Sequence, residues 1–258
     1  MEKRTISQDF VNLSVRHNGL FLPGHSLQRA LSRYCVCLAV WTGSDEYPVY
    51  LPGSATLLRY KDRYFLICTR HQLTEEDFES VCIMLPNGKQ SRCITSGGAI
   101  WWSAEINDGD HNQIVIFDFT GPCIELSDLR ALFLDFRHQH PDVPADNVVA
   151  LLAYGYPTKG RNYDADARHI ELGQCFVLCR FIGGGSDDAV HVIAPLKPLS
   201  FDPDGMSGGA AFCLLHDTEG FSIHLAGVIV RGGQHRLRLI KAGAVQMVLE
   251  EFIRSRPL

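Results

Sequence analysis

Gly205-Met206-Ser207-Gly208-Gly209 runs straight into Ala210-Ala211-Phe212-Cys213-Leu214-Leu215. A serine set among glycines reads as a turn, because glycine reaches backbone conformations closed to other residues and lets another backbone approach closely. Such a turn exposes a hydroxyl and points neighbouring N–H groups at an anion, the two things a serine needs to attack a carbonyl. The apolar run that follows decides between folds. Gly-Met-Ser-Gly-Gly also fits the Gly-x-Ser-x-Gly elbow, but that elbow needs a strand and a helix around it and a histidine later in the chain. Here the run after Gly209 is strand-like, and the best-placed histidine comes first.

That histidine ends Tyr64-Phe65-Leu66-Ile67-Cys68-Thr69-Arg70-His71. Gly53–Leu58, the turn Lys61-Asp62-Arg63 and Tyr64–Cys68 read as a strand, a tight turn and a second strand. A histidine just past a buried strand is held by a rigid element where the chain meets solvent, and the ordinary histidine pKa of about 6.5 suits it to take and return a proton near neutrality. Eleven histidines are present, so His71 gains weight only together with the serine turn.

Short apolar runs broken by turn residues fill the rest. They predict strands over Tyr34–Trp41, Ala55–Arg59, Tyr64–Cys68, Val81–Leu85, Ile114–Phe119, Val148–Tyr154, Gln174–Phe181, Val190–Pro195, Ala210–Leu215 and Ser222–Arg231. Asn87-Gly88 between two such runs signals a hairpin. Many short strands at regular spacing predict an all-β sandwich or barrel. Helical spacing appears in two places, Leu126–Phe136 and Val245–Ile253, and Ser26–Leu31 reads as a short helix leading into the fold. A chain of 258 residues holds one large domain or two small barrels sharing a core, and the Pro/Asp-rich stretch His140–Asn147 is the best candidate link between halves.

Composition narrows the function classes. A net charge of -5 and the lack of a Lys/Arg block argue against nucleic acid as a partner. No run approaches the roughly 18 apolar residues of a membrane span, and Met1–Phe10 lack the apolar core of a secretory signal. The nine cysteines are odd in number and mostly sit in apolar runs, as in Cys35-Val36-Cys37-Leu38, which predicts buried thiols in a reducing, cytoplasmic compartment. Cys175 and Cys179 do not make a zinc pair, so neither a metal nor a cofactor is expected.

With these blocks in hand, the chain resembles the trypsin-like (chymotrypsin-fold) serine peptidases, and more closely their bacterial, intracellular, single-domain members. Gly53–Leu58 resembles the family's Gly-x-Gly/Ala-hydrophobic strand, Leu66–Leu73 its Leu-Thr-Ala-x-His block, and Gly205–Gly209 its nucleophile turn. Ala153-Tyr154-Gly155-Tyr156-Pro157 and Ala226–Gly233 match more weakly, and the resemblance spans about residues 34 to 254. It implies two packed six-stranded β-barrels with a C-terminal helix: an N-terminal extension over 1–33, a first barrel with the histidine over 34–140, and a second barrel with the serine over 141–258. It implies a serine endopeptidase acting through an acyl-enzyme on Ser207, with His71 as general base and the Gly205 and Ser207 amides as oxyanion hole. Substrate would be read by Asp202, Val230, Arg231 and Gly232. The partners implied are a protein or peptide substrate and an activating or sensor protein, as in bacterial defence systems, with the first thirty residues as a docking or inhibitory segment.

The chain departs from the family at the third catalytic position. The strand that should open on an aspartate reads Gln113-Ile114-Val115-Ile116-Phe117. Asp110 is the leading candidate for a displaced carboxylate, Asp108 a second, and Gln113 itself a third; the loop Asn107–His111 also reads simply as solvated turn residues. Asp118 falls on the opposite strand face from Gln113. Asp202 and Asp204 either attract a basic side chain or shape the turn at Pro203. The competing class is a binding module that keeps the protease fold without turnover, with Gln113 as its main support.

Overall fold

The computed structural model describes residues 13–88, 90–96, 100–102, 110–136, 145–164, 169–185 and 188–256. β1 (Ser14–His17) and β2 (Leu20–Pro23) form a hairpin, followed by α1 (Leu27–Ser32). β3 (Cys35–Trp41), β4 (Val49–Tyr60), β5 (Arg63–Thr69), β6 (Val81–Asn87), β7 (Gln90–Thr95), β8 (Ile100–Trp102), β9 (Ile114–Asp118) and β10 (Leu134–Asp135) build the first sheet. Its order is β7-β6-β3-β4-β5-β9-β8, with β10 beside β4. Between β9 and β10 lie α2 (Thr120–Glu125) and α3 (Ser127–Arg130). The second half comprises β11 (Val148–Gly155), β12 (Arg161–Asp164), β13 (His169–Leu172), β14 (Cys175–Gly184), β15 (Val190–Pro195), β16 (Ala210–Asp217), β17 (Gly220–Gly233), β18 (Arg236–Lys241) and α4 (Ala242–Ser255).

β16-β11-β14-β15-β18-β17 closes through β16–β17 pairing into a six-stranded barrel. β12 and β13 stand apart as a two-stranded hairpin, and β1 extends the barrel sheet parallel to β17. The all-β class with a C-terminal helix is the one expected, and of the two six-stranded barrels expected one closes among the described residues. The first half is less regular: among the described residues no pairing joins β7 to β8.

Strand alternation explains why Phe65–Cys68 of β5 and Ala210–Leu215 of β16 are apolar throughout. Phe65 and Ile67 face the seam between the halves, while Leu66 and Cys68 face the core of the first sheet. Ala210, Phe212 and Leu214 face the same seam, while Ala211, Cys213 and Leu215 point into the barrel. α4 covers the seam with Val245, Leu249 and Phe252, at helical spacing. The end of α4 is tied down by Arg63, which bonds the Arg256 carbonyl at 2.6 Å, stacks on Phe252 and pairs with buried Asp118.

The expected helix over Leu126–Phe136 is only one turn long, Ser127–Arg130. From Leu134 the chain is extended and pairs with Leu58 of β4. Phe133 enters the first core, whereas Leu134 and Phe136 enter the seam. These destinations lie on opposite sides of the chain, which a period of two satisfies and a helix does not. The turn before β5 uses Lys61 at φ 47 and Asp62 at φ 61, a strained two-residue hairpin braced by an Arg59–Asp62 ion pair at 2.6 Å. None of the described helices is long and apolar enough to cross a membrane. Of the expected link, residues 140–144 fall outside the described residues.

Candidate active site between the two halves

β5 ends at Thr69, and Arg70–Gln72 form a 3₁₀ turn that carries His71. Register sets its neighbour. Thr69 pairs with Ile114 of β9, which brings the preceding Gln113 beside the turn. Gln113 Oε1 lies 3.3 Å from His71 Nδ1, and His71 Nε2 lies 3.4 Å from Thr69 Oγ1, a long contact. His71 is exposed and Gln113 half-buried. The backbone of Asp110 opens the 3₁₀ turn that ends at Gln113. The Asp110 side chain and all of Asp108 fall outside the described residues. Asp118, set aside on strand parity, is paired with Arg63.

The serine turn lies on the second half and is stitched to the first. Gly205 has φ +88, and a Cβ there would stand 2.1 Å from Arg161 Nη2. Gly208 has φ +82, and its Cβ would stand 2.0 Å from the Ser54 carbonyl. No L side chain fits either place, which is why the segment is glycine-rich.

Every carbonyl of the turn is held by a donor. Asp204 O accepts the Thr158 amide at 2.8 Å, and Gly205 O accepts Ser54 Oγ at 2.7 Å. Met206 O accepts the Gly209 amide at 3.0 Å. Ser207 O accepts the Ser54 amide at 3.1 Å and Gln72 Nε2 at 2.7 Å. Gly208 O accepts Thr56 Oγ1 at 2.8 Å, and Gly209 O the Ile229 amide at 2.8 Å. In a trans peptide the N–H points opposite to the C=O, and no peptide here is cis. The bonds on Asp204 O and Met206 O therefore turn the Gly205 and Ser207 amides the other way, and neither amide bonds a backbone carbonyl among the described residues. Ser207 is half-buried, and its Oγ donates to the Val230 carbonyl at 3.1 Å.

His71 and Ser207 are thus brought to one seam through Gln72, but no hydrogen bond joins them among the described residues. Val230 is buried; Arg231 and Gly232 are exposed and pair with β18. β16 pairs with β17 no further than Val228. Asp202 is exposed, and its Oδ1 accepts the Asp204 amide at 3.1 Å, the turn-shaping role.

Several contributors were not singled out from sequence. Arg161, on β12, donates to the carbonyls of Leu51, Tyr156 and Gly205. Burial pushes its guanidinium pKa down. Thr158 and Gln72 gave no signal, since turn polar residues are common. Ser54 and Thr56 gave one: two hydroxyls inside the run Gly53–Leu58, both fully buried, have to bond something.

The cysteines are free thiols, and burial raises most of them, Cys35 to about 12 and Cys37 to about 11. Cys93 is the exception: the neighbouring Cys82 thiol lowers it to about 7.

No protein-family model and no curated protein matches this chain. Among solved structures it is similar to kallikrein-related peptidase 10, at 11% identity and a TM-score of 0.49, over 88% of this chain and 98% of that one.

Proposed function

We propose that this chain is a serine endopeptidase, cleaving peptide bonds through an acyl-enzyme on Ser207 with His71 as general base. The observation that carries the reading is the aim of the serine turn. Six successive carbonyls, Asp204 to Gly209, are bonded elsewhere, and beside a half-buried hydroxyl neither the Gly205 nor the Ser207 amide bonds a backbone carbonyl among the described residues.

In the proposed reaction the Ser207 hydroxyl leaves the Val230 carbonyl and gives its proton to His71 Nε2 as Oγ bonds the scissile carbon. The carbonyl electrons move onto oxygen, where the Gly205 and Ser207 amides receive the charge. Losing one such donor typically costs about 10²–10³ in rate. Collapse expels the amine with the proton from His71, and water repeats the sequence to release the acid. Gln113 Oε1, facing Nδ1, favours the tautomer that leaves Nε2 as acceptor, but it offers no negative charge to the imidazolium. Asp110 remains the alternative orienting carboxylate.

An extended substrate would pair with β17 at Val230–Gly232 by strand addition. A substrate N–H reaching Val230 O competes with Ser207 Oγ for that acceptor and so frees the nucleophile. A role for Asp202 in attracting a basic side chain, a cytoplasmic location and activation by a partner protein belong to this proposal as well.

The amide beside His71 and the engagement of Ser207 with Val230 favour a second reading, a protease-fold binding module. A fluorophosphonate probe separates the two. Labelling that disappears in Ser207→Ala and His71→Ala supports the peptidase; an unlabelled, folded protein supports the module, and peptide hydrolysis that survives Ser207→Ala refutes the nucleophile.

A further inference from the structure

The Gln72 carboxamide lies between the turn that carries His71 and the turn that carries Ser207. Its Oε1 accepts the Thr69 amide and the Thr69 hydroxyl, each at 2.8 Å. Its Nε2 donates to the Ser207 carbonyl at 2.7 Å and the Ser54 carbonyl at 3.3 Å. The orientation follows from the partners: a backbone amide only donates and a carbonyl only accepts, so the oxygen has to face Thr69 and the nitrogen has to face Ser207. The surrounding space is shaped to the side chain. A Cβ on Gly53 would stand 1.7 Å from Nε2, and one on Gly208 would stand 3.0 Å from Oε1. Ser54 and Thr56 also bond the serine turn, but they come from β4. Gln72 shares its 3₁₀ turn with His71.

We infer that Gln72 is a positioning residue, which holds the His71 turn against the backbone of Ser207 and so sets the reach from imidazole to hydroxyl. This rests on the His71–Ser207 reading above. Methionine fills the same volume and makes none of the four hydrogen bonds. Glutamate keeps the shape, but when ionised it turns an oxygen on two carbonyls; when protonated it can again donate to one of them.

The test uses Ser207→Cys as a reporter that needs no turnover, with alkylation by iodoacetamide followed at each cysteine by mass spectrometry. An imidazole within reach lowers the pH midpoint of thiol alkylation below the ordinary value of about 8.5. With Gln72 intact the midpoint at position 207 should fall by about one pH unit or more. With Gln72→Met it should return toward the ordinary value, and fluorophosphonate labelling in the Ser207 background should slow by about 10²-fold, the usual cost of a roughly 1 Å misplacement. Gln72→Glu should lose melting temperature near neutrality and regain it relative to the parent as the pH falls through about 5, where the carboxyl takes up its proton.

A lowered midpoint that Gln72→Met leaves unchanged overturns the role of Gln72 and leaves the site standing. An ordinary midpoint with Gln72 intact refutes the site, and this inference with it. A Gln72→Glu deficit that does not shrink on acidification also overturns the hydrogen-bonded joint, and this arm still reports if the methionine variant fails to fold.

Discussion

Replacing Gln113 by glutamate should make the proposed enzyme faster. The substitution puts a carboxylate oxygen where the amide oxygen now lies, 3.3 Å from His71 Nδ1. Two unit charges at that separation attract by about 1 kcal/mol in a water-like medium and by about 5 kcal/mol at an effective dielectric constant near 20. His71 is exposed, so screening holds the gain toward the lower end, about 1.4–2.7 kcal/mol, or roughly tenfold to a hundredfold in rate. The gain belongs to the transition state, because a base accepts the Ser207 proton uncharged and is cationic only afterwards, so the comparison is made at pH 8.5. The assay is the second-order rate of fluorophosphonate labelling at Ser207 at that pH, with kcat/KM on a responsive peptide beside it. Gln113→Met should be slower than the parent, since it loses the contact that orients the ring. A well-folded Gln113→Glu that labels no faster than the parent would refute the view that the missing charge limits the site; Asp110 would then be the carboxylate to replace next.

Gly208→Ala places a Cβ 2.0 Å from the Ser54 carbonyl at φ +82, so labelling should be abolished and the melting temperature should drop by several degrees, as differential scanning fluorimetry can check. His17 is 5% exposed, and burial lowers its pKa below the ordinary value of about 6.5. The unfolded chain therefore binds this proton first, so stability should fall as the pH drops below about 6.5, and His17→Phe should flatten that slope in urea titrations. Cys93, lowered by the neighbouring Cys82 thiol, should be alkylated at a lower pH than the buried Cys35, whose thiol burial raises; equal modification of Cys93 and Cys35 at pH 7 would contradict this.

Where one physical demand acts on a stretch of chain, the sequence expresses it directly. Ala210–Leu215 of β16 are buried on both faces and read as an unbroken apolar run. α4 is buried on one face and reads as a helical stripe. The serine turn has to admit neighbouring backbone where a Cβ belongs, and glycine is the only answer. The stretch after Ser127 misleads because two cores compete for it: Phe133 and Leu134 leave in opposite directions, and tertiary contacts override the helical spacing. The joints of the site were hidden for another reason. Gln72, Thr158 and Arg161 act on carbonyls of the serine turn 44 to 135 positions away, and a backbone acceptor leaves no trace in the identity of the residue that supplies it. Gln113 was legible as a departure at the third catalytic position, but its contact with His71 became definite only through the pairing of Thr69 with Ile114.

The apolar seam has a consequence for mechanics. Leu58, Phe65 and Ile116 on one side and Leu152, Phe212 and Leu225 on the other are all buried in a single cluster, so neither half possesses a finished exterior where they meet. A fragment ending before residue 145 would expose its seam face to water and tend to aggregate. The intact chain should instead melt in one cooperative step. Prying the halves apart around a large guest would expose that shared cluster to water, so a peptide would have to bind in a locally unfolded form.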